Sequence, residues 1–119
     1  MVTSKLLSQW ELFRRVPSEI AQAIQEQAEI APYAPGEVIV SAGQPFTFFG
    51  FLLEGEVVAY LGEDRGQLRS IETLQKGSFF GEMSLMTGLQ SAVDMIATAP
   101  SRVLLIPEDI FQDWIRAVS

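Results

Sequence analysis

Glycine punctuates this chain in a way that leaves few folds open. Downstream of Pro32 it recurs at Gly36, Gly43, Gly55, Gly66, Gly77 and Gly88, every 7 to 12 residues, with short runs of apolar β-formers between. Turn residues at that interval, separating runs too short for helices, describe a sandwich, barrel or roll. The pattern predicts strands over residues 37–40, 48–53, 57–61, 67–74, 78–80, 93–98 and 102–106. Residues 61–66, Leu-Gly-Glu-Asp-Arg-Gly, read as a polar hairpin tip.

The flanks carry a different period. Leu6, Leu7, Trp10 and Phe13 recur at helical spacing, Pro17-Ser18 interrupts them, and Ile20, Ala23, Ile24, Gln27 and Ala28 resume a helical face to about Glu29. Ser18 is the expected N-cap, with Glu19 complementing the dipole. Pro107 opens a last helix, with Glu108 and Asp109 in its first turn and Ile110, Phe111, Trp114, Ile115 and Val118 as its apolar stripe. The expected architecture is mainly β: an antiparallel β-roll over about residues 36–106, preceded by helices over about 4–30 and followed by a helix over about 107–118, in one domain spanning 1–119. The expected core includes Val38, Phe51, Leu53, Val57, Leu74, Phe79, Leu85, Met95, Val103, Leu104 and Trp114.

Composition removes whole classes of chemistry. The 119 residues include no Cys and no His. Disulfides, Cys/His zinc sites, Cys-ligated iron–sulfur clusters and haem held by His or Cys are therefore excluded, as are Ser–His and Cys–His nucleophiles. The histidine-held metal usual in cupins, another small β-roll, is excluded too. No metal site and no cofactor is expected. Glu54 and Glu56 read as a pair on one strand face beside a turn, a solvated edge, and with no catalytic constellation visible the chain is not expected to be an enzyme. The net charge is −7, and the eight basic residues are scattered apart from Arg14-Arg15. Nucleic-acid binding needs clustered cations, so none is expected of this chain alone. No apolar run approaches the roughly 20 residues that span a bilayer, and the start is no secretory signal. A cytoplasmic location follows, or the cytoplasmic face of a larger membrane protein, with no membrane contact evident.

Residues 79–88, Phe-Phe-Gly-Glu-Met-Ser-Leu-Met-Thr-Gly, carry the candidate function. A strand ends at Phe80 and a short helix begins near Glu82. Amide N–H groups at a helix start favour an anion, and Gly81 lets a ligand approach the backbone. Alone, the same residues read better as a turn at Gly81 and a helix cap at Glu82. They do not stand alone. Residues 35–39, Pro-Gly-Glu-Val-Ile, then Gly43, then residues 51–57, Phe-Leu-Leu-Glu-Gly-Glu-Val, precede them, and residues 101–107, Ser-Arg-Val-Leu-Leu-Ile-Pro, follow. From about Leu12 to its end, this ordered set resembles the cyclic nucleotide-binding domain family, which includes the catabolite activator protein, regulatory subunits of cyclic AMP-dependent protein kinase and cyclic nucleotide-gated channels.

The resemblance implies that residues 80–84 form a phosphate-binding cassette for cyclic AMP or cyclic GMP. Phe80 and Gly81 would line it, Glu82 would accept a hydrogen bond from the ribose 2′-hydroxyl, and the backbone at Met83 and Ser84 would face the phosphate. It also implies an arginine later in the cassette, paired with that phosphate. Here Ser91, followed by Ala92, takes that place, and a one-residue shift would substitute Gln90. Neither is a cation, so binding is expected to be weak or absent, with the Ser91 hydroxyl and the Ala92 N–H as remaining donors. Arg102 reads as a surface strand residue. The family's lid helix αC would begin where these residues stop, so the lid and any output domain or partner protein are expected on sequence outside them. The expected function is a regulatory sensor domain whose cassette is coupled to the C-terminal helix. The alternative is a degenerate roll used for protein docking or another small ligand.

Overall fold

A computed structural model of the chain describes residues 1–62 and 69–119. The chain begins with three short helices, α1 (Ser4–Ser8), α2 (Glu11–Arg14) and α3 (Ser18–Gln27). Eight strands follow: β1 (Glu29–Tyr33), β2 (Val38–Val40), β3 (Phe48–Glu54), β4 (Glu56–Leu61), β5 (Arg69–Gln75), β6 (Phe79–Phe80), β7 (Val93–Ala97) and β8 (Ser101–Pro107). A helix, α4 (Glu82–Thr87), interrupts them after β6, and α5 (Glu108–Val118) closes the chain. The strands form two four-stranded sheets in the orders β1-β8-β3-β6 and β2-β7-β4-β5, antiparallel at every pairing. Of the sandwich, barrel and roll that the glycine spacing left open, this is the antiparallel roll, with the flanking helices expected from the apolar spacing. Among the described residues no helix is long and apolar enough to cross a membrane. The predicted hairpin tip beyond Gly62, and the first two residues of the strand predicted to follow it, lie outside the described residues.

The sheets meet over an apolar core in which Phe51, Leu52, Val57, Val103, Leu104 and Ile106 are fully buried. β3 explains why residues 46–53 are so greasy: it is covered on both faces. Alternate side chains of a strand point to opposite sides. On one side, Phe51 meets the edges of Trp10 and Phe13 at 5.0 Å each, and Phe49 stacks on Phe111 of α5 at 4.9 Å. On the other, Gly50 leaves room for the Phe80 ring, because any Cβ at Gly50 would stand 2.6 Å from Phe80 Cε2. Burying one such aromatic contributes roughly 2 kcal/mol.

Four local expectations are corrected. Val38 and Phe79 belong to the exposed surface, at 49% and 45% exposure. β2 is an edge strand that turns Val40 inward, and β6 pairs Phe80 with Gly50, which fixes the parity and sends Phe79 outward. The second helix ends at Gln27, and Glu29 begins β1, paired with β8 from Glu29↔Leu105 to Tyr33↔Ser101. Pro32 lies within β1, where an edge strand tolerates its missing N–H. The N-cap of α3 is Pro17, at φ −54° and ψ 144°, with no side-chain bond, and Ser18 is the first helical residue. Pro107 does the same for α5, at φ −54° and ψ 148°. Finally, Glu54 and Glu56 sit on two strands across the Gly55 turn. Glu54 pairs with Arg102 at 3.4 Å, and Glu56 accepts from Thr98 Oγ1 at 2.7 Å.

Candidate ligand-binding site

The segment between β6 and β7 is built around one short helix held in a fixed place. Gly81 precedes α4 at φ 95°, a left-handed conformation that glycine adopts without strain. A Cβ there would press 2.9 Å from Phe46 Cδ1 and 3.0 Å from the Phe48 carbonyl. Glycine is thus required twice over, by dihedral and by space. At the other end Gly88 caps α4 at φ 76° and donates to Ser84 O at 2.8 Å. Leu85 anchors the helix in the core.

A cavity of about 270 Å³ opens beside α4. Phe80, Gly81, Glu82, Met83, Ser84, Ser91 and Ala92 all line it, so the structure brings these seven residues together. Its floor is Phe80, Leu74 and Met95, all buried. Its rim is exposed and apolar, made by Ile71, Phe79 and Met83. Sequence reasoning missed Ile71 and Glu72 of β5 and Phe46 ahead of β3. The one available signal was Ile71, a large apolar residue on a strand otherwise polar apart from Leu74.

Two polar groups define the chemistry. Glu82 presents a carboxylate of which Oε2 is shut off from solvent and has no hydrogen-bond partner among the described residues. A buried acceptor without a donor costs about 1–3 kcal/mol, more when charged. Ser91 is buried, and its hydroxyl is already occupied. Its Oγ donates to Val93 O at 2.7 Å and accepts from Val93 N at 3.2 Å. The Ser91 N–H donates to Gln44 O at 2.9 Å and its carbonyl accepts from Gly43 N at 2.8 Å. The donor expected from the Ser91 side chain is therefore spent locally. Gln90 is exposed and absent from the lining. Among the described residues lining the cavity there is no Lys or Arg, while Glu72 and Glu82 are both acidic. Arg102 is half-exposed and lines a separate cavity with Lys76, as expected of a surface strand residue.

A family model described as the cyclic nucleotide-binding domain matches residues 30–117. The chain is 35% identical over 95 residues to a cAMP-dependent protein kinase regulatory subunit of Colletotrichum orbiculare, covering 80% of this chain and 22% of that protein. It is 31% identical over 87 residues to human cGMP-dependent protein kinase 2, covering 72% of this chain and 11% of that one. The chain thus spans less than a quarter of the relatives it matches. Among solved structures, DNR from Pseudomonas aeruginosa superposes with a TM-score of 0.85 at 18% identity, over 98% of this chain and 53% of that one. The regulatory subunit of a cAMP-independent protein kinase A from Trypanosoma brucei superposes with a TM-score of 0.82 at 16% identity, over 94% and 41%. Those two likenesses speak for the fold, and the family match together with the gathered cassette residues speaks for more: this chain belongs to the cyclic nucleotide-binding domain family.

Proposed function

We propose that the cavity beside α4 is a weak cyclic nucleotide site and that the chain is the sensing part of a larger regulatory protein whose output lies in other sequence. The observation that supports this best is Glu82: an orphaned carboxylate oxygen at the head of α4, beside a cavity large enough for a ligand that brings its own hydroxyl donors. The ribose 2′-hydroxyl would supply that donor. The backbone at Met83 and Ser84 would face the cyclic phosphate, and the rim residues Ile71, Phe79 and Met83 would flank the base. Ser91 and Ala92 occupy the place of the phosphate cation, with the Ala92 N–H as the remaining donor. No step of catalysis is assigned to the site. The relatives matched include kinase regulatory subunits, which fits a regulatory role.

The missing cation sets the strength of the site. A charge-assisted bidentate contact is worth a few kcal/mol, or about two decades of affinity. The Trypanosoma brucei structure is the regulatory subunit of a cAMP-independent protein kinase A, bound to cAMP as a triple mutant with one Glu-to-Ala change and consecutive Thr-to-Arg and Val-to-Ala changes. Ser91-Ala92 presents a hydroxyl residue followed by an alanine already in place.

Isothermal titration tests this reading. Cyclic AMP and cyclic GMP are expected to bind with a dissociation constant of about tens of micromolar or weaker. Nanomolar binding would contradict it. A second variant isolates the carboxylate. Glu82→Gln, in the Ser91→Arg background where titrations saturate, is expected to weaken binding by roughly tenfold or more, because a hydrogen bond to a charged acceptor is lost. Its melting temperature should stay level, since Glu82 Oε2 has no hydrogen-bond partner to lose among the described residues. A fall in stability with unchanged affinity would make Glu82 a structural residue only.

A further inference from the structure

α5 is held at two separate points. Pro107 pairs with Phe48 in the sheet, and the first N–H of the helix, at Glu108, donates to Thr47 O at 3.1 Å. One turn later, half-buried, Gln112 Nε2 donates to the Leu85 carbonyl of α4 at 2.8 Å. That carbonyl needs a partner from outside its own helix. In a helix of six residues the last carbonyls have no intrahelical donor, and the one N–H placed to reach Leu85 O, at Leu89, donates to Thr87 Oγ1 instead. Only the amide nitrogen of Gln112 can face a carbonyl, so the orientation of its side chain is fixed.

The other contacts between the two helices are of a different kind. Glu82 and Met86 of α4 share an apolar groove of about 280 Å³ with Phe111, Trp114 and Ile115 of α5. Such contacts are non-directional, and side chains in an open groove can slide. Among the described residues, the Gln112 bond is the one hydrogen bond that joins α4 to α5. α4 in turn lies between two left-handed glycines, Gly81 and Gly88, with its first turn against the ligand cavity.

We propose that Gln112 is the positioning residue that transmits displacement of α4 to α5, with the pinned start of α5 acting as a fulcrum. Gln112 lies four residues, about 6 Å, along the helix from Glu108, and Val118 lies ten residues, about 15 Å. A shift of the Leu85 carbonyl would therefore be enlarged about two and a half times at the end of α5. The ligand that displaces α4 rests on the reading proposed above, whereas the tether itself does not.

Backbone hydrogen exchange tests both parts on the whole chain. Gln112→Glu keeps the size of the side chain but presents a carboxylate, which cannot donate at neutral pH. Gln112→Leu removes polarity and serves if the first variant is poorly folded, as judged by circular dichroism. Without ligand, both variants are expected to exchange the α4 amides at least fivefold faster, with the first turn of α5 unchanged, because one buried hydrogen bond is lost from α4 alone. Unchanged α4 exchange overturns the proposal. With saturating cyclic AMP in the Ser91→Arg background, exchange along α5 is expected to respond when Gln112 is present and not in either variant, while the dissociation constants stay within about threefold. A full α5 response in the variants also overturns it. If the Ser91→Arg chain binds no cyclic nucleotide, the ligand reading fails, and the ligand-free exchange still decides the tether.

Discussion

The Ser91→Arg chain is expected to bind cyclic AMP about a hundredfold more tightly than its parent. Position 91 is held from both sides, by Gln44 O on its N–H and by Gly43 N on its carbonyl, so the new side chain starts from a fixed backbone. It starts on the wall of the cavity, opposite the head of α4 where a phosphate would meet backbone N–H groups. The parent hydroxyl makes only the local bonds to Val93, and their loss costs about 1 kcal/mol of stability. The gain is a guanidinium whose paired donors match two phosphate oxygens, in a cavity otherwise lined by Glu72 and Glu82. Ser91→Lys supplies the charge without the fork and is expected to recover only part of the gain. Calorimetry at low and moderate salt reads both variants. Equal affinities for parent and Ser91→Arg would show that the phosphate does not reach this wall, and the orientation proposed for the ligand would be wrong.

The largest loss of stability is expected from Gly55→Ala, at the tight connection between β3 and β4. Gly55 has φ 99°, and an added Cβ would stand 2.5 Å from Pro100 O and 2.6 Å from Ser101 Cα. Both are backbone atoms and cannot rotate away. Ser101 is itself a brace, because its Oγ accepts from Glu56 N at 3.2 Å and donates to Ala99 O at 2.8 Å. The dihedral alone costs about 1–2 kcal/mol for a residue with a Cβ. With the collision added, about 3 kcal/mol or more is expected, a fall of roughly 10 °C in melting temperature for a chain of this size. Gly43→Ala separates the two causes. Gly43 has a similar φ of 86° with open space around it, so that variant should show the dihedral cost alone. Equal losses in the two variants would remove the argument from crowding.

What could be read from the sequence was what depends on near neighbours. The strands between glycines and the helix after Gly81 follow from patterns a few residues long, whereas the grouping of Gly81, Glu82 and Ser91 comes from the family resemblance of a set of segments spread along the chain. What could not be read depends on partners far along the chain. β1 is a strand because β8 lies beside it, some 70 residues later, and that pairing overrides the helical spacing read as far as Glu29. Phe79 and Phe80 are chemically identical, and only the bare Gly50 across the sheet decides which goes inside. The wall made by Ile71 and Glu72 reaches the cavity from the far side of a hairpin. Gln112 looks like any polar residue on the outer face of an amphipathic helix, and nothing local reveals that Leu85 waits for it.

The burial of β3 on both faces also dictates how the chain must be made. Its partners β6 and β8 are both synthesised after it, and β8 ends 53 residues beyond Glu54. At about 5–20 residues per second, the segment Phe-Phe-Gly-Phe-Leu-Leu leaves the ribosome roughly 3–10 seconds before β8 is complete. Until β6 emerges, about halfway through that interval, it is an unpaired, uncharged strand of high β-propensity, the kind of segment that associates with copies of itself, and its other edge stays open until β8 follows. The strand that pairs with β6 and β8 and packs against Trp10, Phe13 and Phe111 therefore has its apolar side chains uncovered for several seconds of synthesis.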